Sequence, residues 1–334
     1  MSPEPDLALL RRKILGAVLS RAIHAVTEAG VVDRLAAGPA PVAELAEACG
    51  VDAHALQRFL RALAGEGLFV RIGPDAWALT PMGALLRSDA PGSLRHLCTL
   101  FTGPAYEVWE LAPYALRTGK PAFAQRFGLP MFDWLAEHPD RGEEFTAAQA
   151  GLVTNRLLPL LDHDWTGVGT VVDVGGGNGT LLAALLQDRP LMTGTVFDLP
   201  EVVEQAGSLL DAAGVGDRCT LTGGDFFASV PSGADAYVLA QILHDWDDDD
   251  ALRILRRCRE AMLQDARLLV LEQVLFDDGG PDPANLLDLH MLVLLGGRER
   301  TEGPWRELLS RAGLAIATIT RGAHACLIEA GPLP

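Results

Sequence analysis

Four short stretches of the chain carry residues that could do chemistry. In "LAQILHDWDDDD", residues 239 to 250, an apolar run ends at His244 and is followed by Asp245, Trp246 and a row of aspartates. Such a histidine either closes a buried strand or serves as a base at the floor of a site. A neutral imidazole with an ordinary pKa of ~6.5 can take a proton at neutral pH. In "VVDVGGGNGT" Asp173 precedes Gly175, Gly177 and Gly179. Glycines there let backbone approach a ligand at a helix N-terminus, although plain turn residues of an α/β domain would look the same. Thr180 stands where a dinucleotide fingerprint would carry Gly or Ala. The stretch "TVFD" ends in Asp198, about 20 residues further on, where a carboxylate can take both hydroxyls of a ribose. In "GGDFF" Asp225 can accept an adenine amino group, and Phe226 can pack on the ring face. Loop, acid and spacing agree on a nucleoside-bearing ligand.

The elements around these stretches alternate. "TVVDVG", "TGTVFDL", "DAYVLAQIL" and "ARLLVLEQVL" read as strands. Between them "TLLAALLQD", "PEVVEQAGSLLDAAG" and "ALRILRRCREAML" read as helices, and "LAIATITR" and "HACLIEAG" close the chain as strands. The pattern predicts an α/β fold, a doubly wound and mostly parallel Rossmann-like sheet, with ligands bound beyond the carboxyl ends of its strands.

The first half has another texture. Residues 6 to about 160 read as helices. Leu7, Leu10, Ile14, Val18 and Val26 recur at helical spacing with Leu9, Leu15, Leu19 and Ile23 between them, so this segment needs burial on more than one side. Then come a helix, a turn at Gly50, Asp52 as N-cap of a second helix, and a two-stranded wing around Gly73, Pro74 and Asp75, which together make a winged-helix pattern. We expect a mainly helical domain over 1–100, an aromatic-rich helical linker over 101–160 and the sheet domain over 161–334.

Composition narrows the classes. The formal net charge is -17, a field that repels nucleic acid and anionic membranes. Between residues 41 and 90 six acidic side chains face four arginines, where a groove-binding module wants a basic face. The five cysteines form no CxxC pair, the N-terminus lacks signal-peptide order, and no apolar run reaches spanning length. The expectation is a cytoplasmic protein that binds neither nucleic acid nor membrane.

The C-terminal half resembles class I S-adenosylmethionine-dependent methyltransferases. The whole chain resembles the small-molecule O-methyltransferases of the plant caffeic acid and flavonoid type and of bacterial natural-product tailoring. The resemblance rests on the winged-helix region, "DVGGGNG", "FDLP", "GDFF", "HDWDD" and "GGRERT", of which the last two are specific to the family. It implies methyl transfer from S-adenosylmethionine to a hydroxyl, expected to be phenolic, of a small aromatic or polyketide-type molecule. His244 would be the general base, oriented by Glu272 at the end of "LVLE", with Glu299 of "GGRERT" as a second acid. The cofactor site would comprise Asp173, Gly175, Gly177, Asp198, Leu199, Gly224, Asp225, Phe226 and Gln241. The substrate site would draw on Asp245, His290, Met291 and Leu295, with Trp109, Phe127 and Met131 from the aromatic segment. Leu295 and Ala240 stand where plant enzymes often carry polar residues, which makes the pocket floor more apolar. The N-terminal domain would pair two copies of the chain, with its first segment reaching the partner's pocket.

Other readings remain beside it. Met291 and His290 fit a core helix face equally, and aromatics such as Phe123 on helices are more often plain core. Asp247 to Asp250 could suggest a divalent-metal site. Consecutive aspartates in a first turn point several ways, whereas ligands must converge, so we expect no metal and a favourable helix dipole instead. The rival functions are a winged-helix regulator and a member of the same fold that hydroxylates or decarboxylates.

Overall fold

The computed structural model describes residues 4–90, 92–276 and 282–333. The chain divides into two compact units, Met1–Tyr106 and Glu107–Pro334. Residues 107–160, expected within a linker, belong to the second unit.

In the first unit, helices Val42–Cys49 and Ala53–Gly65 meet at a tight turn. Gly50 turns left-handed at φ +66°, and the Asp52 carboxylate accepts from the Ala55 N–H at 2.7 Å, satisfying a donor that the helix start leaves orphaned. Strands Phe69–Ile72 and Ala76–Leu79 pair antiparallel as the wing, with Ala40–Pro41 added on the far side of Ala76–Leu79. Leu45, Leu56, Leu60, Leu63, Phe69 and Trp77 form its core. The N-terminal apolar segment is two helices, Glu4–Ile14 and Gly16–Glu28. Leu7, Leu10, Ile14 and Val18 lie exposed on them, at 57, 56, 69 and 65%.

The second unit is built on a seven-stranded sheet. Its strands are β1 (Thr170–Val174), β2 (Thr193–Asp198), β3 (Cys219–Gly223), β4 (Ala236–Ala240), β5 (Arg267–Glu272), β6 (Leu314–Arg321) and β7 (Cys326–Pro332). The order is β6-β7-β5-β4-β1-β2-β3, and all neighbouring pairs are parallel except those of β7. The order reverses at β1, because the chain goes from β1 out through β2 and β3 and returns to β4 on the other side. That switch point is where a doubly wound sheet opens a crevice. The central strands β1, β4 and β5 are buried on both faces, which is why they read as apolar runs, broken in β1 only by Asp173. Among the described residues no helix is long and apolar enough to cross a membrane.

Candidate active site

The crevice is lined first by the loop that leaves β1. Gly175, Gly177 and Gly179 all have positive φ, at +73°, +57° and +79°. A Cβ on Gly175 would come 2.5 Å from Ile242 Cδ1, whereas one on Gly177 would meet nothing within 4 Å. Gly177 is therefore required by its backbone angle and leaves open space in front of it. Its N–H donates to Asp198 Oδ2 at 2.8 Å, and the Leu199 N–H donates to Asp198 Oδ1 at 2.7 Å. Burial raises the Asp198 pKa against those two amides. Asp173 is almost wholly buried and its Oδ2 has no hydrogen-bond partner. Burial, with the Asp198 charge beside it, pushes its pKa up to about 8. A buried oxygen without a partner, near the open face of Gly177, suits a ligand that brings cationic or hydroxyl donors.

The next strand end places the other residues expected here. Leu199 is 43% exposed. A Cβ on Gly224 would lie 2.6 Å from the Phe197 ring. Asp225 is exposed, and its Oδ1 accepts from the Phe227 N–H at 2.8 Å. Phe226 packs edge-on against Trp246, with centroids 6.0 Å apart. Gln241 alone among the described non-glycine residues has positive φ, +58°. Its amide donates to the Leu271 carbonyl at 2.9 Å and accepts from the Arg156 guanidinium, so the end of β4 is tied to β5 and to the helix Pro139–Arg156. Arg156 escaped the sequence reading, since it lies in no motif. Burial lowers its pKa, while Glu299 and Glu272 oppose that.

Beyond Gln241 the chain makes a short turn, Leu243–Asp245, and buries His244 to 3% exposure. His244 Nδ1 lies 2.7 Å from Glu299 Oε1. Glu272 Oε2 is 3.6 Å from the same atom, beyond hydrogen-bond length. The acid within hydrogen-bond reach of the ring is therefore Glu299, whereas the sequence expectation gave that place to Glu272. The reason is topological. Glu272 ends β5, alongside β4, so the amides of the turn point at it. Its Oε1 accepts from Ile242, Leu243 and His244 at 3.0, 2.8 and 3.3 Å. Burial of His244 lowers its pKa, but Glu272, Glu299 and Asp245 outweigh burial and raise it to about 10. Asp245 Oδ1 stands 3.4 Å from Nε2, and burial raises its own pKa to about 6. His244 Nε2 is buried without a hydrogen-bond partner.

His244, Glu272 and Glu299 offer atoms within 4.8 Å of one another, close enough to chelate a cation. Each of the three is already engaged through one atom, His244 Nδ1 and Glu299 Oε1 with each other and Glu272 Oε1 with three amides, which leaves His244 Nε2 and Glu299 Oε2 without hydrogen-bond partners. The aspartate row diverges. Asp247 caps the helix Asp248–Ala261 by accepting from Asp249 and Asp250 N–H, while Asp248 pairs with Arg300 and Arg298, Asp249 with Arg311 and Asp250 with Arg253.

Helix Pro283–Leu294 carries further residues expected at the site. His290 is 3% exposed, and the Trp109 indole N–H donates to its Nδ1 at 3.1 Å. Burial, then the charge on His244, lowers the His290 pKa to about 4, so the ring is neutral with its proton on Nε2. Met291 is buried and Leu295, half-buried, ends the helix. Phe127 packs on Phe123 and Trp134, at 4.7 and 5.0 Å, in an aromatic cluster of its own, and Met131 is buried. Phe132, not singled out in the sequence, stacks on Trp246 at 5.6 Å.

The family model for the O-methyltransferase domain matches residues 109–315, and that for the O-methyltransferase dimerisation domain matches residues 12–89. The chain belongs to the O-methyltransferase family. Phenazine O-methyltransferase PhzM of Lysobacter antibioticus is 38% identical over 98% of this chain and 97% of its own. O-demethylpuromycin-O-methyltransferase of Streptomyces alboniger is 40% identical over 96% and 88%. The crystal structure of LaPhzM, also 38% identical, covers 98% of this chain and 99% of its own with a TM-score of 0.93. The structure of NcsB1 from neocarzinostatin biosynthesis, in complex with S-adenosylmethionine and 2-hydroxy-5-methyl naphthoic acid, is 34% identical, covers 94% and 96%, and has a TM-score of 0.81. This O-methyltransferase accordingly takes S-adenosylmethionine as its methyl donor. The orphaned Asp173 oxygen and the open face of Gly177 fit such a ligand. The relatives named here are methyltransferases, which leaves the regulator and the hydroxylase or decarboxylase readings without support.

Proposed function

We propose that this O-methyltransferase methylates a phenolic hydroxyl of a small aromatic natural product, with His244 as general base. The carrying observation is the buried imidazole of His244, held on Nδ1 by Glu299 and with no hydrogen-bond partner on Nε2. A phenol with a pKa of ~10 is only about a thousandth ionised at neutral pH, so a base is needed. When bound, the cofactor supplies an electrophilic methyl and a positive charge. With its pKa raised to about 10 the resting His244 ring carries a proton, and a positive charge bound beside it would favour the neutral, basic form. Nε2 then takes the phenol proton, and Glu299 stabilises the imidazolium. Positioning of the acceptor is the larger contribution, ~7–11 kcal/mol against ~3–5 kcal/mol for the base.

Asp173, the glycine loop, Asp198, Leu199, Gly224, Asp225, Phe226 and Gln241 are proposed to surround the cofactor. Trp109, Phe127, Met131, Asp245, His290, Met291 and Leu295 are proposed to surround the substrate. The aromatic substrates in the names of the relatives support this class, as does the apolar wall of Met291 and Leu295. The three-part domain reading is kept as a proposal, with residues 1–100 pairing two copies in a homodimer and 101–160 contributing to the pocket. The dimerisation match and the exposed leucines of the first helices support the pairing. A cytoplasmic location, away from nucleic acid and membrane, accords with the charge of -17. Mass spectrometry of reactions with candidate phenols, aromatic amines and S-adenosylmethionine tests the reading. A methylated phenol is expected, and methylation of amines alone would overturn the acceptor.

A further inference from the structure

We infer that Arg300 is a positioning residue for His244, holding the turn that carries the imidazole from the side opposite Glu272. The inference rests on the reading of His244 as the base.

The side chain of Arg300 is almost fully buried, at 2% exposure. It begins the two-residue strand Arg300–Thr301, which runs parallel to Val274–Leu275 just beyond β5. Its Nη1 donates to the Leu243 carbonyl at 2.9 Å, and its Nη2 donates to the Trp246 carbonyl at 3.0 Å. Those two carbonyls flank His244 and Asp245. Nε donates to Asp248 Oδ1 at 3.0 Å, and the Arg300 guanidinium lies over the Trp305 ring at 5.3 Å. One planar fork thus ties both sides of the turn to the start of the helix Asp248–Ala261. Lysine, a point charge on a flexible stem, cannot match that set of acceptors.

The rest of the segment acts on the same turn. A Cβ on Gly297 would fall 2.0 Å from the His244 carbonyl oxygen, so glycine alone lets the two backbones approach. The Arg298 N–H donates to that carbonyl at 2.9 Å, and Glu299 takes the ring. Glu272 gathers the amides of the turn while Arg300 gathers its carbonyls. With the Ile242, Leu243 and His244 amides and the Leu243, His244 and Trp246 carbonyls engaged and Glu299 on Nδ1, the ring is restrained and Nε2 is held relative to the acceptor. A base displaced by even 1 Å loses ~10²-fold in rate.

The charged groups around the imidazole are Glu272 on β5, Glu299 and Arg300 on the segment after Gly297, Asp245 on the turn itself, Arg156 from the helix Pro139–Arg156 and Asp248 at the helix start. Neutral His290 faces it from Pro283–Leu294. Arg300→Lys keeps the charge among them and removes only the geometry.

The test compares Arg300→Lys, Asp248→Ala and His244→Ala with the wild type by steady-state kinetics, cofactor calorimetry and ring ¹H–¹⁵N spectra of histidine-labelled protein. Arg300→Lys should lower kcat by ~10–10²-fold with KM and cofactor affinity nearly unchanged. The Nδ1 proton resonance of His244 should move upfield, and the acid limb of the pH–rate profile should shift to lower pH, because a looser Glu299 contact holds the proton less well. Asp248→Ala, at a half-exposed site, should act in the same direction by about threefold to tenfold and decides the matter if the lysine variant does not fold. Wild-type kcat with an unmoved resonance in the folded variants would overturn the role of Arg300, as would a loss confined to KM. A fully active His244→Ala enzyme would instead overturn the base reading on which the inference rests.

Discussion

Glu299, not Glu272, shares the Nδ1 proton of His244, across 2.7 Å. The two acids divide the work. Glu299 addresses the ring, and Glu272 the backbone that presents it. The division sets different outcomes for their removal.

Glu299→Gln should lower kcat by ~10–10²-fold, since the imidazolium formed during transfer loses its counter-charge. The sign of the pH effect follows from the shift. The carboxylates raise the His244 pKa, so removing one lowers it and moves the acid limb of the rate to lower pH. Glu272→Gln keeps an acceptor for the three amides and should cost less rate. Glu272→Ala strands three N–H groups, two of them buried, at ~1–3 kcal/mol for each buried one, and should chiefly lower the melting temperature. Paired pH–rate profiles and thermal melts of the three variants check this. Equal kinetic losses for both glutamines would contradict the division.

Asp173 makes a second pH prediction. Its folded pKa, about 8, lies above the ordinary carboxylate value, so folding favours the protonated form. That contribution is intact below about pH 4 and is lost as pH rises through about 8. Asp173→Asn should therefore gain melting temperature relative to the wild type as pH increases, by several degrees between about pH 5 and pH 9. A difference that does not vary with pH would show that the carboxyl is not buried as described.

The exposed leucines of the first helices predict association. Leu7, Leu10, Ile14 and Val18 cannot all be covered by one neighbour within the chain, and they lie exposed in the isolated fold. Deleting residues 1–20 should give monomeric or aggregated, inactive protein, measured by light scattering across a dilution series. A stable, active monomer at micromolar concentration would contradict the dimer, as would a wild-type chain that is already monomeric there.

Much of this architecture was legible because local chemistry dictates it. Asp52 ends one helix start and Gly50 one left-handed turn whatever surrounds them. The apolar runs of β4 and β5, and of β1 around Asp173, announce strands covered on both faces. The motifs also brought His244, Glu272 and Glu299 together. They did not say which oxygen meets which nitrogen, because that depends on β5 lying beside β4. Arg156 was hidden for a related reason, since a lone arginine at the end of a polar helix becomes special only when that helix packs near Gln241. Helical spacing likewise could not separate Trp109, which reaches His290, from Phe127, which stays among Phe123 and Trp134. The aspartate row was expected to point several ways, and each of its four carboxylates has its own partner.

The central claim is that His244 removes the acceptor proton, and a single variant tests it most directly. His244→Ala should fold, bind S-adenosylmethionine with near wild-type affinity in calorimetry, and methylate its phenol ~10²–10⁴-fold more slowly at neutral pH. Raising the pH should recover part of the loss, since a preformed phenolate needs no base. Undiminished turnover of that variant at neutral pH would contradict the account.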